Sequence, residues 1–138
     1  MEVHQLVNQR VHTYYWGDDY NCATTMLKTL AELFGIDLNP QVIQAATGLH
    51  GAGGFGAQCG LVEGSLMFIG ILGHARGWDE TDIIKKCYDF AAAFTEAFQS
   101  LNCALLRPQG FKPDNPPHLC EELTRRAIRF THQYLERN

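Results

Sequence analysis

The segment of residues 59–73 is apolar on nearly every side of a helix, and this feature constrains the fold most. Such a helix is stable only when other elements bury it, so it predicts a central helix that the rest of the chain surrounds. Its longest apolar stretch, residues 61–72, contains Glu63, Ser65 and two glycines and is too short to cross a bilayer.

Helical spacing of apolar residues recurs along the rest of the chain, and no segment alternates apolar and polar residues for long enough to predict a strand. Asn21 and Gly35 mark the start and stop of one helix, and Pro40 begins another. The predicted helices are residues 2–15, 21–34, 40–46, 59–73, 79–101 and a last helix after the proline-rich stretch 108–117. The 138 residues are too few for two ordinary domains. We therefore predict one all-α domain over residues 1–138, a compact bundle of about five to six helices.

Composition limits the partners that such a bundle could have. A net charge of −4 gives the chain no general affinity for nucleic acid phosphates. The first five residues lack the basic patch and apolar core of a signal peptide, so we expect a soluble, cytoplasmic protein without membrane insertion. Thiols are normally reduced in the cytosol, and five cysteines there favour metal binding or redox chemistry over structural disulfides.

Four of the five cysteines fall where a helix is predicted to begin: Cys22, Cys59, Cys103 and Cys120. A helix N-terminus has unpaired N–H groups and a partial positive charge, which favour a thiolate over a thiol. Thiolates are both the nucleophiles of disulfide chemistry and the ligands of soft metals. Cys87 instead lies inside the apolar stripe of the helix 79–101, which is typical of a small core residue.

Helix connectivity predicts that three of these four thiols meet. The short link at 74–78 favours an antiparallel return of the next helix, which brings Cys103 back beside Cys59. A last helix that starts at the same end adds Cys120, whereas the route of the chain after Cys22 is less constrained. We expect the four to cluster at one end of the bundle, with Cys87 apart.

Glycines surround the second of these cysteines. The run from Gly51 to Gly56 matches the letters G-x-G-x-x-G, but a helix precedes it where a dinucleotide site needs a strand, so no nucleotide is expected. We expect this loop to lie over Cys59 and to turn N–H groups toward its sulfur, which would make Cys59 the most acidic thiol. The candidate cofactor-binding glycines are Gly53, Gly54, Gly56, Gly60 and Gly64, although helix packing is the favoured role of the last two.

Two histidines lie near these elements. His50 adjoins the glycine loop, and His118 lies two residues before Cys120. Either could be a metal ligand or alter the pKa of a thiol, but ordinary surface or capping roles are favoured.

The segment Cys59-Gly60-Leu61-Val62-Glu63-Gly64 resembles the signature of the C_GCAxxG_C_C family of redox-active proteins. The resemblance spans nearly the whole chain and puts the four family cysteines on Cys22, Cys59, Cys103 and Cys120. It puts the family glycines on Gly60 and Gly64, and Leu61 stands where the family has alanine. A related domain accompanies haem modules in some bacterial cytochromes, but this chain has no Cys-x-x-Cys-His, so no covalent haem is expected.

Three functions remain open at this point. The four cysteines could hold an iron–sulfur cluster or zinc, with electron transfer as the role of a cluster. They could instead cycle between thiol and disulfide in a metal-free enzyme or sensor. The third hypothesis is an all-α interaction module with structural cysteines. The resemblance implies a redox partner protein that the sequence does not identify, and a homodimer is left open.

Overall fold

The computed structural model describes residues 2–110 and 112–137, which form eight α-helices and no strand. The helices are α1 (Val3–His12), α2 (Cys22–Phe34), α3 (Pro40–Ala45), α4 (Gly51–Gly54), α5 (Gly60–Ala75), α6 (Glu80–Phe98), α7 (Cys103–Leu106) and α8 (Glu121–Arg137). The all-α class is confirmed. Five helices have ten residues or more. Of the three short helices, the sequence predicted α3 but not α4 or α7.

Helix α5 is the central element, as its apolar character predicts. It packs most extensively against α2 and also contacts α6 and α8. Leu61, Phe68 and Ile69 are completely buried on it. In the described part of the chain, no helix is both long and apolar enough to cross a membrane.

The first and last long helices cover the other side of α2. Val7 and Val11 of α1 are buried, as are Ala127 and Ile128 of α8. The Arg10 guanidinium binds both carboxylate oxygens of Glu32 at 2.7 and 2.8 Å, which fastens α1 to α2 at the surface. The two outer helices therefore hold α2 against α5.

The ends of α2 follow the sequence signals, whereas two other predicted helices end early as α-helices. The predicted helix 2–15 is α-helical only to His12 and continues as a π-helical turn from Thr13 to Gly17. The Asn21 side chain accepts a hydrogen bond from the Thr24 N–H at 2.9 Å, and Gly35 ends α2 in the left-handed conformation. Helix α6 was predicted to reach residue 101 but ends at Phe98, because Gln99 takes a positive φ of 75°. Cys87 lies half-buried on α6 at the edge of the core.

Gly64 decides how closely α2 and α5 approach. An added Cβ would stand 2.8 Å from the Ala23 carbonyl oxygen and 3.1 Å from the Met26 Cβ, whereas one on Gly70 of the same helix would meet nothing within 4 Å. We predict that Gly64→Ala lowers the free energy of unfolding by about 1–3 kcal/mol through overpacking. Gly70→Ala should raise it by roughly 0.5–1 kcal/mol, the usual gain for alanine inside a helix. Urea denaturation of both variants measures these changes in the free energy of unfolding. Changes of the same sign would show that the contact at Gly64 does not limit how closely α2 and α5 pack.

Candidate functional site

All four cysteines that begin helices line one cavity of about 140 Å³, and Cys87 is not part of its wall. The clustering predicted from the helix starts is therefore confirmed, and all five thiols are free. The cavity is comparable in volume to an engineered cavity of about 150 Å³ that binds benzene. It can therefore hold a ligand larger than a single water molecule or a single metal ion. The rest of its wall consists of Tyr15, Tyr20, Asn21, His50, Leu61, Leu106, Arg107, His118 and Leu123.

Each thiol stands at or beside the N-terminus of a different helix. Cys22 is the first residue of α2, Cys59 is the N-cap of α5, and Cys103 is the first residue of α7. Cys120 immediately precedes α8, and its carbonyl accepts a hydrogen bond from the Thr124 N–H at 2.8 Å. Four helix starts thus converge on the cavity.

Backbone hydrogen bonds hold the second and third cysteines side by side. The Cys59 N–H donates to the Leu101 carbonyl at 2.8 Å, and the Cys103 N–H donates to the Ala57 carbonyl at 2.7 Å. An antiparallel bridge between Gln58 and Asn102 lies between these bonds. Antiparallel helix order predicted this proximity, but the direct pairing of the two segments has no signal in the sequence.

Two glycines leave room for sulfur atoms. A Cβ on Gly60 would overlap the Cys22 Sγ and the Leu49 carbonyl oxygen. A Cβ on Gly51 would stand 2.9 Å from the Cys103 Sγ. Gly60 therefore acts at the site through close packing, and Gly64 packs one turn further along α5 against α2.

The glycine loop does not direct its N–H groups at Cys59, contrary to the prediction. Nearby backbone carbonyls accept these hydrogen bonds instead. The Gly53 N–H donates to the Gly48 carbonyl at 2.9 Å, the Gly54 N–H to the His50 carbonyl at 2.9 Å, and the Gly56 N–H to the Gly51 carbonyl at 3.0 Å. Positive φ angles at several loop residues coil this segment back on itself. Gly53, Gly54 and Gly56 are not among the residues that line the cavity.

The first turn of α5 supplies the hydrogen bonds to the Cys59 sulfur instead. Burial raises the pKa of Cys59 to about 11, and the N–H groups of Leu61 and Val62 lower it only in part. Cys103 and Cys120 raise it further, because nearby thiolates repel one another. The prediction that Cys59 is unusually acidic is therefore wrong: loss of hydration outweighs the helix N-terminus.

The other buried thiols follow the same rule. Burial raises the pKa of Cys22 far above its usual value, and the other three cavity thiols raise it further. Burial and Cys120 raise the pKa of Cys103, while the Arg107 guanidinium opposes them. Arg107 also lies beside Cys120, with Nη1 at 3.7 Å from the sulfur. With no ligand bound, Cys22, Cys59 and Cys103 are therefore neutral near pH 7.

Tyr15 and both candidate histidines lie at the cavity. Tyr15 is only 3% exposed, and its position beside the thiols was not predicted from the sequence. A π-helical turn over Thr13–Gly17 directs its ring inward, and no sequence signal predicts such a turn. His50 and His118 line the wall. Within residues 2–110 and 112–137, however, no three His, Cys, Asp or Glu side chains are grouped so that they could hold a metal ion.

Residues 20–134 match a protein family described as "Putative redox-active protein (C_GCAxxG_C_C)". The matched range contains the four cavity cysteines and both packing glycines of α5. No curated protein and no solved structure matches the chain.

Raised thiol pKa values make stability depend on pH. In the reduced, metal-free protein, an unfolded thiol loses its proton near the ordinary value of 9.0, whereas folded Cys59 keeps it until about pH 11. The unfolded state then binds fewer protons, so the free energy of unfolding should fall as pH rises from about 9, by roughly 1.4 kcal/mol per pH unit per thiol. Urea denaturation at stepped pH, with reductant present, measures this slope.

The variant Cys59→Ala is the control for this prediction. Between about pH 9 and 11, the free energy of unfolding of this variant should fall less steeply with pH, because one thiol no longer contributes. A slope equal to that of the unmodified chain would mean that Cys59 ionises as freely in the folded state as in the unfolded state.

Proposed function

The chain belongs to the C_GCAxxG_C_C family of redox-active proteins, and we propose that its four cavity cysteines hold an iron–sulfur cluster that serves electron transfer. The observation that carries the proposal is the convergence of Cys22, Cys59, Cys103 and Cys120 on one cavity of about 140 Å³. Cysteines that only filled space in the core would not need to share a cavity wall.

The set of donor atoms supports a cluster. Four cysteine thiolates are the usual ligand count of both [2Fe–2S] and [4Fe–4S] clusters. A structural zinc needs four donors gathered around one point at about 2.3 Å for sulfur. The described residues contain no such grouping, whereas thiols spread around a cavity suit a ligand of several atoms.

The surroundings of the thiols also support binding of a charged inorganic group. Neutral buried thiols must lose their protons to become ligands, and the positive charge of iron offsets the repulsion among the thiolates that result. The apolar side chains of Leu61, Leu106 and Leu123 limit water in the cavity, and Arg107 contributes a positive charge at its wall. When bound, the cluster supplies reversible one-electron chemistry, and the chain positions it and shields it from water.

Arg107 favours one alternative, a metal-free thiol–disulfide protein that uses Cys103 and Cys120. Its guanidinium lies 3.7 Å from the Cys120 sulfur and lowers the pKa of Cys103 against the effect of burial. Oxidation of this pair would form one S–S bond and release two protons and two electrons to an acceptor disulfide. The cluster remains the preferred proposal, because it uses all four cavity thiols.

Anaerobic reconstitution with ferrous iron and sulfide tests the proposal. We predict that the purified, reduced chain takes up iron and sulfide and gains the visible absorption of an iron–sulfur cluster. Cys59→Ser should lose most of the bound iron, because a ligand is missing. Cys87→Ser, at the edge of the core and outside the cavity, should keep it.

The same preparation distinguishes the alternatives. Zinc bound in place of iron under these conditions would contradict the cluster. A colourless, metal-free chain that forms a Cys103–Cys120 disulfide would favour the thiol–disulfide function instead. Mass spectrometry after alkylation under non-reducing conditions detects that bond.

A further inference from the structure

The π-helical turn Thr13–Gly17 carries a buried and an exposed aromatic side chain next to each other in sequence. Tyr15 is 3% exposed and lines the thiol cavity, whereas Trp16 is 51% exposed at the surface. Single π-helical turns within helices occur frequently at functional sites. The turn therefore sets an interior ring and an exposed ring at the same place.

The ring of His118 connects these two side chains. It stacks on Tyr15 with centroids 5.0 Å apart and an interplanar angle of 11°. It also meets Trp16 edge-on, with centroids 4.7 Å apart and an angle of 70°. His118 itself lines the cavity, so a continuous set of ring contacts leads from the cavity wall to the surface.

Two of the four described non-glycine residues with positive φ meet at this contact. His118 has a φ of 56° and Asp19 has a φ of 55°, and neither is glycine. Their side chains meet, with His118 Nε2 at 3.4 Å from Asp19 Oδ1. Residues in such conformations cluster at functional sites, so their meeting here is consistent with a role beyond packing.

Negative charge surrounds the exposed ring. The Trp16 indole N–H donates to the Glu121 carboxylate at 2.8 Å. Asp18 and Asp19 are exposed beside it in sequence, and Glu122 is 72% exposed beside Glu121. Arg125 pairs with both glutamates, while His118 lies beside Asp19 and His12 lies beside Glu121, so acidic groups outnumber arginine and lysine here. We define Trp16, Asp18, Asp19, Glu121 and Glu122 as the Trp16 surface.

We infer that the Trp16 surface is the docking site for a redox partner protein with a basic face. The inference rests on the proposed function. One electron passes between the bound cluster and the partner along the contacts of Tyr15, His118 and Trp16, and no bond or proton moves. Electron-transfer encounters bury little surface, and complementary charge guides them, which matches a single exposed ring with carboxylates around it.

Oxidation of the reduced, reconstituted full chain by hexaammineruthenium(III), a one-electron cation, tests the charge at this surface. We expect the rate, measured by stopped flow, to fall as salt rises, because carboxylates attract this probe. The double variant Asp18→Asn/Glu122→Gln should lose most of that salt dependence. The control Asp37→Asn/Asp82→Asn makes the same change in net charge beyond the C-terminal end of α2 and in the first turn of α6. Equal losses in both would show that net charge alone acts, and would overturn the docking site.

Exposed aromatic residues elsewhere test the ring contacts. Trp16→Leu should lose most of the oxidation rate, while Tyr88→Leu, at 76% exposure on α6, should keep it. Equal rates in these two variants would overturn the path through Trp16. A larger loss in Phe55→Leu, at 88% exposure beside the glycine loop, would place the exit there instead. If the chain binds no iron, the absence of colour after reconstitution reveals it before any rate is measured. In that case the proposed function fails, and this inference fails with it.

Discussion

Contact between the backbones of α2 and α5 sets the positions of the groups around the cavity. Helix axes usually lie about 8–10 Å apart, a spacing that depends on the side chains between them. Gly60 and Gly64 remove those side chains where α5 faces Cys22 and Ala23. The two helix starts can then lie next to each other, and the thiols at those starts face one space. Without this contact, Cys22 at the start of α2 and Cys59 at the start of α5 would not face the same cavity.

Two effects compete at these thiols, and their balance defines the chemistry of the site. A helix N-terminus stabilises a thiolate, but burial removes the water that would stabilise it more. Burial wins at Cys59 in spite of two N–H groups at its sulfur. In the absence of a ligand, the three buried thiols with raised pKa values therefore carry no charge near pH 7. These thiols ionise only when a ligand binds that stabilises the thiolates in place of water.

Local signals predicted much of the fold and part of the site. Asn21 and Gly35 fixed the ends of α2 because capping depends on neighbours in sequence. Helix order predicted that Cys59, Cys103 and Cys120 meet, but it did not determine the position of Cys22. Tertiary properties did not follow: the ionisation of Cys59 depends on burial by distant elements, and the inward ring of Tyr15 depends on a π-helical turn without a sequence pattern. The early end of α6 depends on one positive φ at Gln99, a residue that rarely adopts it.

The pairing of residues 56–59 with 101–104 has a consequence for how this chain can change over time. Those bonds join backbone N–H groups to backbone carbonyls, so they are largely independent of which side chains stand there. Leu101 also packs against the core and Gln58 binds Glu63, but the backbone bonds that set the relative position of Cys59 and Cys103 do not require these side chains. Related chains can thus differ widely in this region and still present the same two sulfur atoms to the cavity.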